Sequence, residues 1–161
     1  MDVSYILENL NKAQREAVTS ESRKLLVLAG AGSGITKVLV HRIAWLIQAA
    51  SSSTHSILAV TFTNKAANEM TGRIARILDQ PIPEMWCGTF HSISNRILRR
   101  HYKEAGLDKE FAILDSDDQL RIIKRILKEL DIDEDQWLPD KIRWQINTWK
   151  DEALRSKDVD D

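Results

Sequence analysis

The sequence predicts an α/β protein: a parallel sheet with helices on both faces, followed by an all-helical segment. Three observations predict it. In the first two thirds of the chain, short apolar runs alternate with helical patterns, as they do in strand–helix repeats of a parallel sheet. A glycine-rich stretch, AGAGSGIT (Ala29–Thr36), joins the first apolar run to the first long helical pattern. From about Gly106 onward only helical spacing remains.

The elements follow in order. LLVLA (Leu25–Ala29) is a continuous apolar run ending in glycines, the pattern of a strand buried on both faces. Val38, Leu39, Ile43, Leu46 and Ile47 then recur at helical spacing. SILAVTF (Ser56–Phe62) reads as a second buried strand, and Ala66, Ala67, Met70, Ile74, Ile77 and Leu78 mark the next amphipathic helix. The chain turns at Pro81 and Pro83, MWCGTF (Met85–Phe90) reads as a third short strand, and Ser92–Lys103 continues as a helix. Beyond Gly106, Ser116 with Gln119 makes a capping box opening a helix with Leu120, Ile122, Ile123, Ile126, Leu127 and Leu130 apolar. A last helix starts near Pro139, with Ile142, Ile146 and Trp149 on one face. Two domains are expected, 1–105 and 106–161.

The bulk numbers bound the function. The chain has 161 residues, 43% of them hydrophobic and 29% charged, which suits a soluble chain with a real core. Its one cysteine, Cys87, excludes an internal disulfide and suits a reducing cytosol. The N-terminus lacks the pattern of a signal peptide, and no apolar run approaches the ~18 residues needed to span a bilayer. A cytoplasmic protein without a membrane partner is expected. The net charge of −1 hides an asymmetry. Residues 60–103 hold 7 Lys and Arg against 3 Asp and Glu, whereas residues 104–161 hold 10 against 17. A polyanion would therefore sit on the middle third.

The glycine stretch carries chemistry. Gly30, Gly32 and Gly34 permit backbone conformations in which N–H groups converge on phosphate oxygens at the positive end of a helix. Thr36 stands where a hydroxyl holds Mg2+ in a P-loop, G-x-x-x-x-G-K-[ST]. The lysine of that motif, which reaches the β- and γ-phosphates, is replaced by Ile35. An aliphatic side chain cannot neutralise the charge that develops in phosphoryl transfer. Lys37 lies roughly 200° further around the helix and is no substitute. The reading is a phosphate cradle that binds and does not hydrolyse; a ligand-free strand-to-helix turn is the bland alternative.

With these residues in view, the chain resembles superfamily 1 DNA helicases, specifically the bacterial DNA helicase II (UvrD) group. LNKAQREAV (Leu10–Val18) resembles the Q-motif, AGAGSGIT the family's AGAGSGKT, TFTNKAANEM (Thr61–Met70) motif Ia, and GTFH (Gly88–His91) motif Ib. The resemblance implies a RecA-like P-loop NTPase fold interrupted by a helical insertion. It implies an ATP- and Mg2+-dependent motor moving 3′-to-5′ on single-stranded and partly duplex DNA. Mismatch- and excision-repair proteins are the implied partners. Family members are several times longer, so the chain is expected to be an N-terminal fragment: a partial first motor domain over 1–105, then a truncated helical subdomain. The acidic motif that holds Mg2+ and the arginines contributed across the cleft are absent.

The resemblance assigns nucleotide binding to Gln14, Ala29, Gly30, Ala31, Gly32, Ser33, Gly34, Ile35, Thr36 and Lys37. Gln14 would read the adenine edge, or simply close a capping box with Asn11. Lys37 occupies the position of an arginine that packs on the adenine. DNA contacts fall to Phe62, Thr63, Asn64, Thr89 and His91. Phe62 is a base-stacking platform or a core aromatic; Thr63 and Asn64 are phosphate contacts, a helix cap, or both. Lys65 and Arg73 read as surface charges. The basic run Arg96, Arg99, Arg100 and Lys103 is a solvated face or a phosphate patch, and Trp137, Trp144 and Trp149 are expected in the core of the helical insertion. Two other readings compete: a single-stranded-DNA-binding module with a vestigial nucleotide site, and a small P-loop kinase, which leaves TFTNKAANEM and GTFH without a role.

Overall fold

The computed structural model describes residues 2–30, 32–82 and 85–159, so Pro83 of the expected turn lies outside the described residues. The chain forms two compact units, Met1–Leu107 and Asp108–Asp161. The first holds a short 3-10 helix (Ser4–Leu7), α1 (Lys12–Thr19), α2 (Ile35–Gln48), β1 (Leu58–Thr61), α3 (Asn64–Leu78), β2 (Trp86–Thr89) and α4 (Phe90–Arg100). The second holds α5 (Ser116–Glu129) and α6 (Pro139–Asp151).

β1 and β2 pair in parallel, with Leu58 opposite Trp86 and Thr61 opposite Thr89. The parallel sense agrees with the sequence reading, but the sheet has two strands among the described residues. The expected strand Leu25–Ala29 is not one. A strand exists through its ladder partners, and here this run has none. Leu26 and Leu28 are 81% and 86% exposed, the opposite of burial on both faces. Leu58 is exposed as well, so β1 is not buried on both faces either.

The core of the first unit lies where α2 and α3 meet each other and the sheet. Ile6, Val40, Ile43, Ala44, Ala59, Met70, Ile74, Leu78, Ile82 and Met85 form one buried cluster. Each of the larger side chains among them contributes on the order of 1.5–3 kcal/mol by leaving water, the two alanines less. The helical stripe of α3 therefore stands as its spacing predicts, while Leu39 of α2 turns outward. α3 stops because Asp79 adopts a left-handed conformation (φ 49°) just before Pro81.

α1 is held at both ends. Asn11 and Gln14 form the capping box: Gln14 N donates to Asn11 Oδ1 (2.9 Å) and Asn11 N donates to Gln14 Oε1 (3.1 Å). At the other end Arg42 of α2 donates through Nη1 to the carbonyls of Val18 (2.8 Å) and Ser20 (2.6 Å).

In the second unit two expectations are corrected. The cap of α5 is Asp115, whose Oδ1 accepts from Asp118 N at 2.8 Å, rather than Ser116. Asp115 carries a carboxylate, favoured at a helix N-terminus. Gln119, freed from the cap, accepts from Asn147 Nδ2 of α6 (3.3 Å). The tryptophans are the second correction. Trp137 and Trp144 are 60% and 66% exposed and Trp149 is half-buried, because α5 and α6 alone cover one side of each helix.

Candidate nucleotide and nucleic-acid site

The glycine stretch folds as a tight turn that hands the chain to α2. Gly34 is the N-cap of α2 at φ 82°, and Gly32 lies at φ 78°, both in the left-handed region that favours glycine. Gly30 is outside that region. Ser33 N donates back to Gly30 O (3.2 Å), which closes the turn. A Cβ added at Gly32 would meet nothing within 4 Å, so the space before the loop is open. Ala31 lies outside the described residues.

Gln14 reaches this turn from α1. Its Nε2 donates to Ser33 O at 3.1 Å while its Oε1 is engaged by Asn11 N. The amide orientation follows from chemistry: only the oxygen can accept the Asn11 N–H, which leaves the nitrogen for the carbonyl. Asn11, Gln14, Ala29, Gly30, Ser33 and Ile35 line a cavity of about 330 Å3 between α1 and the turn. This is room for a heteroaromatic base.

The remaining residues of the set disperse. Ile35 opens α2 and is 46% exposed, presenting hydrocarbon where a cation would face phosphate. Thr36 lines a neighbouring cavity with Leu25, Val27, Ile35, Leu39 and Arg42. Lys37 turns away from the turn and donates to Asn9 O (2.5 Å), on the side of a separate cleft shared with His41, Arg73 and Arg76. Arg73 is ion-paired to Glu69. Among the described residues no group of three or more His, Cys, Asp or Glu has the arrangement to hold a metal ion.

The second candidate set gathers at the carboxyl ends of β1 and β2, where open parallel sheets place ligands. Thr63 caps α3, its Oγ1 accepting from Ala66 N (3.1 Å), and Asn64 is the first residue of that helix. Thr89 caps α4 in the same way, accepting from Ser92 N (3.2 Å), with the exposed His91 in the first turn. Two helix N-termini thus stand side by side, each with first-turn N–H groups that lack intrahelical partners. Phe62 is 88% exposed, which excludes the core alternative.

Sequence reasoning missed Phe90. Its ring lies 5.7 Å from that of Phe62, tilted by 50°, and it is exposed too. The signal was present: Thr-Phe occurs at the end of both strands. Because Thr61 pairs with Thr89, the next residue of each strand must be a neighbour of the other across the ~4.8 Å strand spacing.

Residues 10–161 match the UvrD/REP helicase N-terminal domain family. The chain is 56% identical over 155 residues to DNA helicase II of Escherichia coli (strain K12), covering 96% of this chain and 22% of that protein. It is 53% identical over 165 residues to DNA helicase II of Haemophilus influenzae, covering all of this chain and 23% of that protein. The ATP-dependent DNA helicase PcrA of Bacillus subtilis is 46% identical over 155 residues, covering 96% and 21%. The chain therefore spans about a fifth of the length of these relatives.

Proposed function

Because the chain belongs to the UvrD/REP helicase N-terminal domain family, we propose that it is the nucleotide- and single-stranded-DNA-binding part of an ATP-dependent DNA helicase. On this reading 1–105 is part of the first motor domain and 106–161 part of its helical insertion. For the whole protein this reading takes 3′-to-5′ translocation and work in mismatch and excision repair; the relatives' names support the DNA helicase part of it. The observation that carries the DNA half is the exposed Phe62 at the carboxyl edge of the sheet. Hydrocarbon gains nothing from water, and base stacking on such a ring is worth ~1–3 kcal/mol per base.

ATP, when bound, supplies the phosphoryl transfer that drives such motors. The residues fit its binding better than its turnover. Gly32 and Gly34 adopt conformations that open backbone N–H groups toward a phosphate, at the positive end of α2. Gln14 stands at the cavity that would take adenine, and Thr36 would hold Mg2+ through its hydroxyl. Ile35 supplies no charge to the γ-phosphate, so hydrolysis is absent from this chain. A second reading, a DNA-binding module with a vestigial nucleotide site, draws on that same isoleucine.

Calorimetric titration of Mg·ATP into the chain and into Ile35→Lys separates the two. Binding by the lysine variant alone means that the cradle is sound and that Ile35 silences it. Failure of both removes the nucleotide half of the proposal and leaves the DNA-binding module.

A further inference from the structure

At the opposite edge of the sheet, Trp86 opens β2 and two arginines of α4 lie on its ring. The guanidinium carbon of Arg96 is 4.1 Å from the ring centre and that of Arg100 is 5.5 Å. Both arginines are exposed, and neither makes an ion pair or a hydrogen bond to another side chain among the described residues. The indole face attracts each cation and restricts its rotamers, yet leaves the N–H forks turned to solvent. Residues four apart on a helix are separated by about 5–6 Å at Cβ, so two forks are presented in a row. A helix-dipole role accounts for Arg100 in the last turn but not for Arg96, a turn earlier.

We propose that Arg96 and Arg100, preordered on Trp86, bind two phosphates of a nucleic-acid strand at a site separate from the Phe62 and Phe90 edge. The ligand chemistry is the phosphodiester: guanidinium forks match its paired oxygens, and the surrounding residues 60–103 carry the positive excess of the chain. This rests on the proposed function only in taking nucleic acid as the polyanion.

The test is the salt dependence of oligo(dT) binding by the chain, by the pair Arg96→Gln with Arg100→Gln, by the pair Arg96→Lys with Arg100→Lys, and by Phe62→Ala. Each neutralised phosphate contributes about 0.7 to the slope of log K against log salt for single strands, so the glutamine pair is expected to flatten the slope by about 1.4. The lysine pair keeps the charges and the slope, and serves as the folded control. Phe62→Ala weakens binding about 5- to 150-fold at unchanged slope. An unchanged slope in the glutamine pair overturns this inference and leaves the Phe62 reading standing. A flattened slope with Phe62→Ala neutral does the reverse. If poly-glutamate competes with oligo(dT) as well as DNA of equal charge does, the patch takes an acidic protein and the inference falls; if the chain binds no oligo(dT), both fall.

Discussion

Gln14 is the residue where one amide does two local jobs, and the two can be separated. Gln14→Ala removes the bond from Asn11 N (3.1 Å) and the bond to Ser33 O (3.1 Å). At about 0.5–1.5 kcal/mol net for each neutral hydrogen bond, the first unit is expected to lose about 1–3 kcal/mol. For a unit of this size that is a fall in Tm of roughly 4–15 °C. Gln14→Glu divides the effect. Its carboxylate still accepts from Asn11 N at a favourable helix N-terminus, but it has no donor for the Ser33 carbonyl and repels it. The glutamate variant should therefore melt within a few degrees of the parent while the Ser33 and Gly34 amides exchange with solvent at least several-fold faster. Hydrogen exchange followed by NMR reads those amides directly, and Asn11→Ala serves as the control that loosens α1 and spares the turn. Unchanged exchange at Ser33 in both Gln14 variants would refute the claim that this side chain tethers the loop.

Two further outcomes follow from the packing. Arg42→Ala should cost about 2–3 kcal/mol in urea unfolding, since it removes charged hydrogen bonds to the carbonyls of Val18 and Ser20 and frees the end of α1; a loss under 0.5 kcal/mol would mean that α1 is held by its apolar face alone. Gly88→Ala should cost about 1–3 kcal/mol, because its new methyl would lie 2.5 Å from Ser92 Oγ and 3.3 Å from the buried Ile93. Near-neutral stability in that variant would show that α4 moves off β2 without penalty.

Local rules were legible in the sequence where a residue's partner lies within a turn or so of it. The Asn11–Gln14 box, the break at Pro81, the stripe Ala67, Met70, Ile74 and Leu78, and the start of α6 at Pro139 all depend on neighbours in sequence. The misread elements depend on distant partners. LLVLA has the composition of a buried strand, but composition supplies no ladder, and among the described residues only β1 and β2 found one. Trp137 and Trp144 look like core residues until the number of helices available to cover them is known. In the candidate site, the left-handed Gly32 and Gly34 were readable from motif position, the ordinary φ of Gly30 was not, and the exposure of Phe62 was one of two open alternatives. The engagement of Lys37 by Asn9 was not, since the carbonyl lies 28 residues away. Phe90 was readable in principle, once the two Thr-Phe steps were set in register.

The bare leucines at 26 and 28 also govern how the purified chain behaves in a tube. Leu25–Ala29 is uncharged, apolar and free of proline, the composition of a segment that joins others like it when crowded. Arg23 and Lys24 before it are the gatekeepers at that end. Association through this segment is expected to limit the working concentration, and Leu26→Lys should extend the range in which the chain stays dispersed, as light scattering over a concentration series would read.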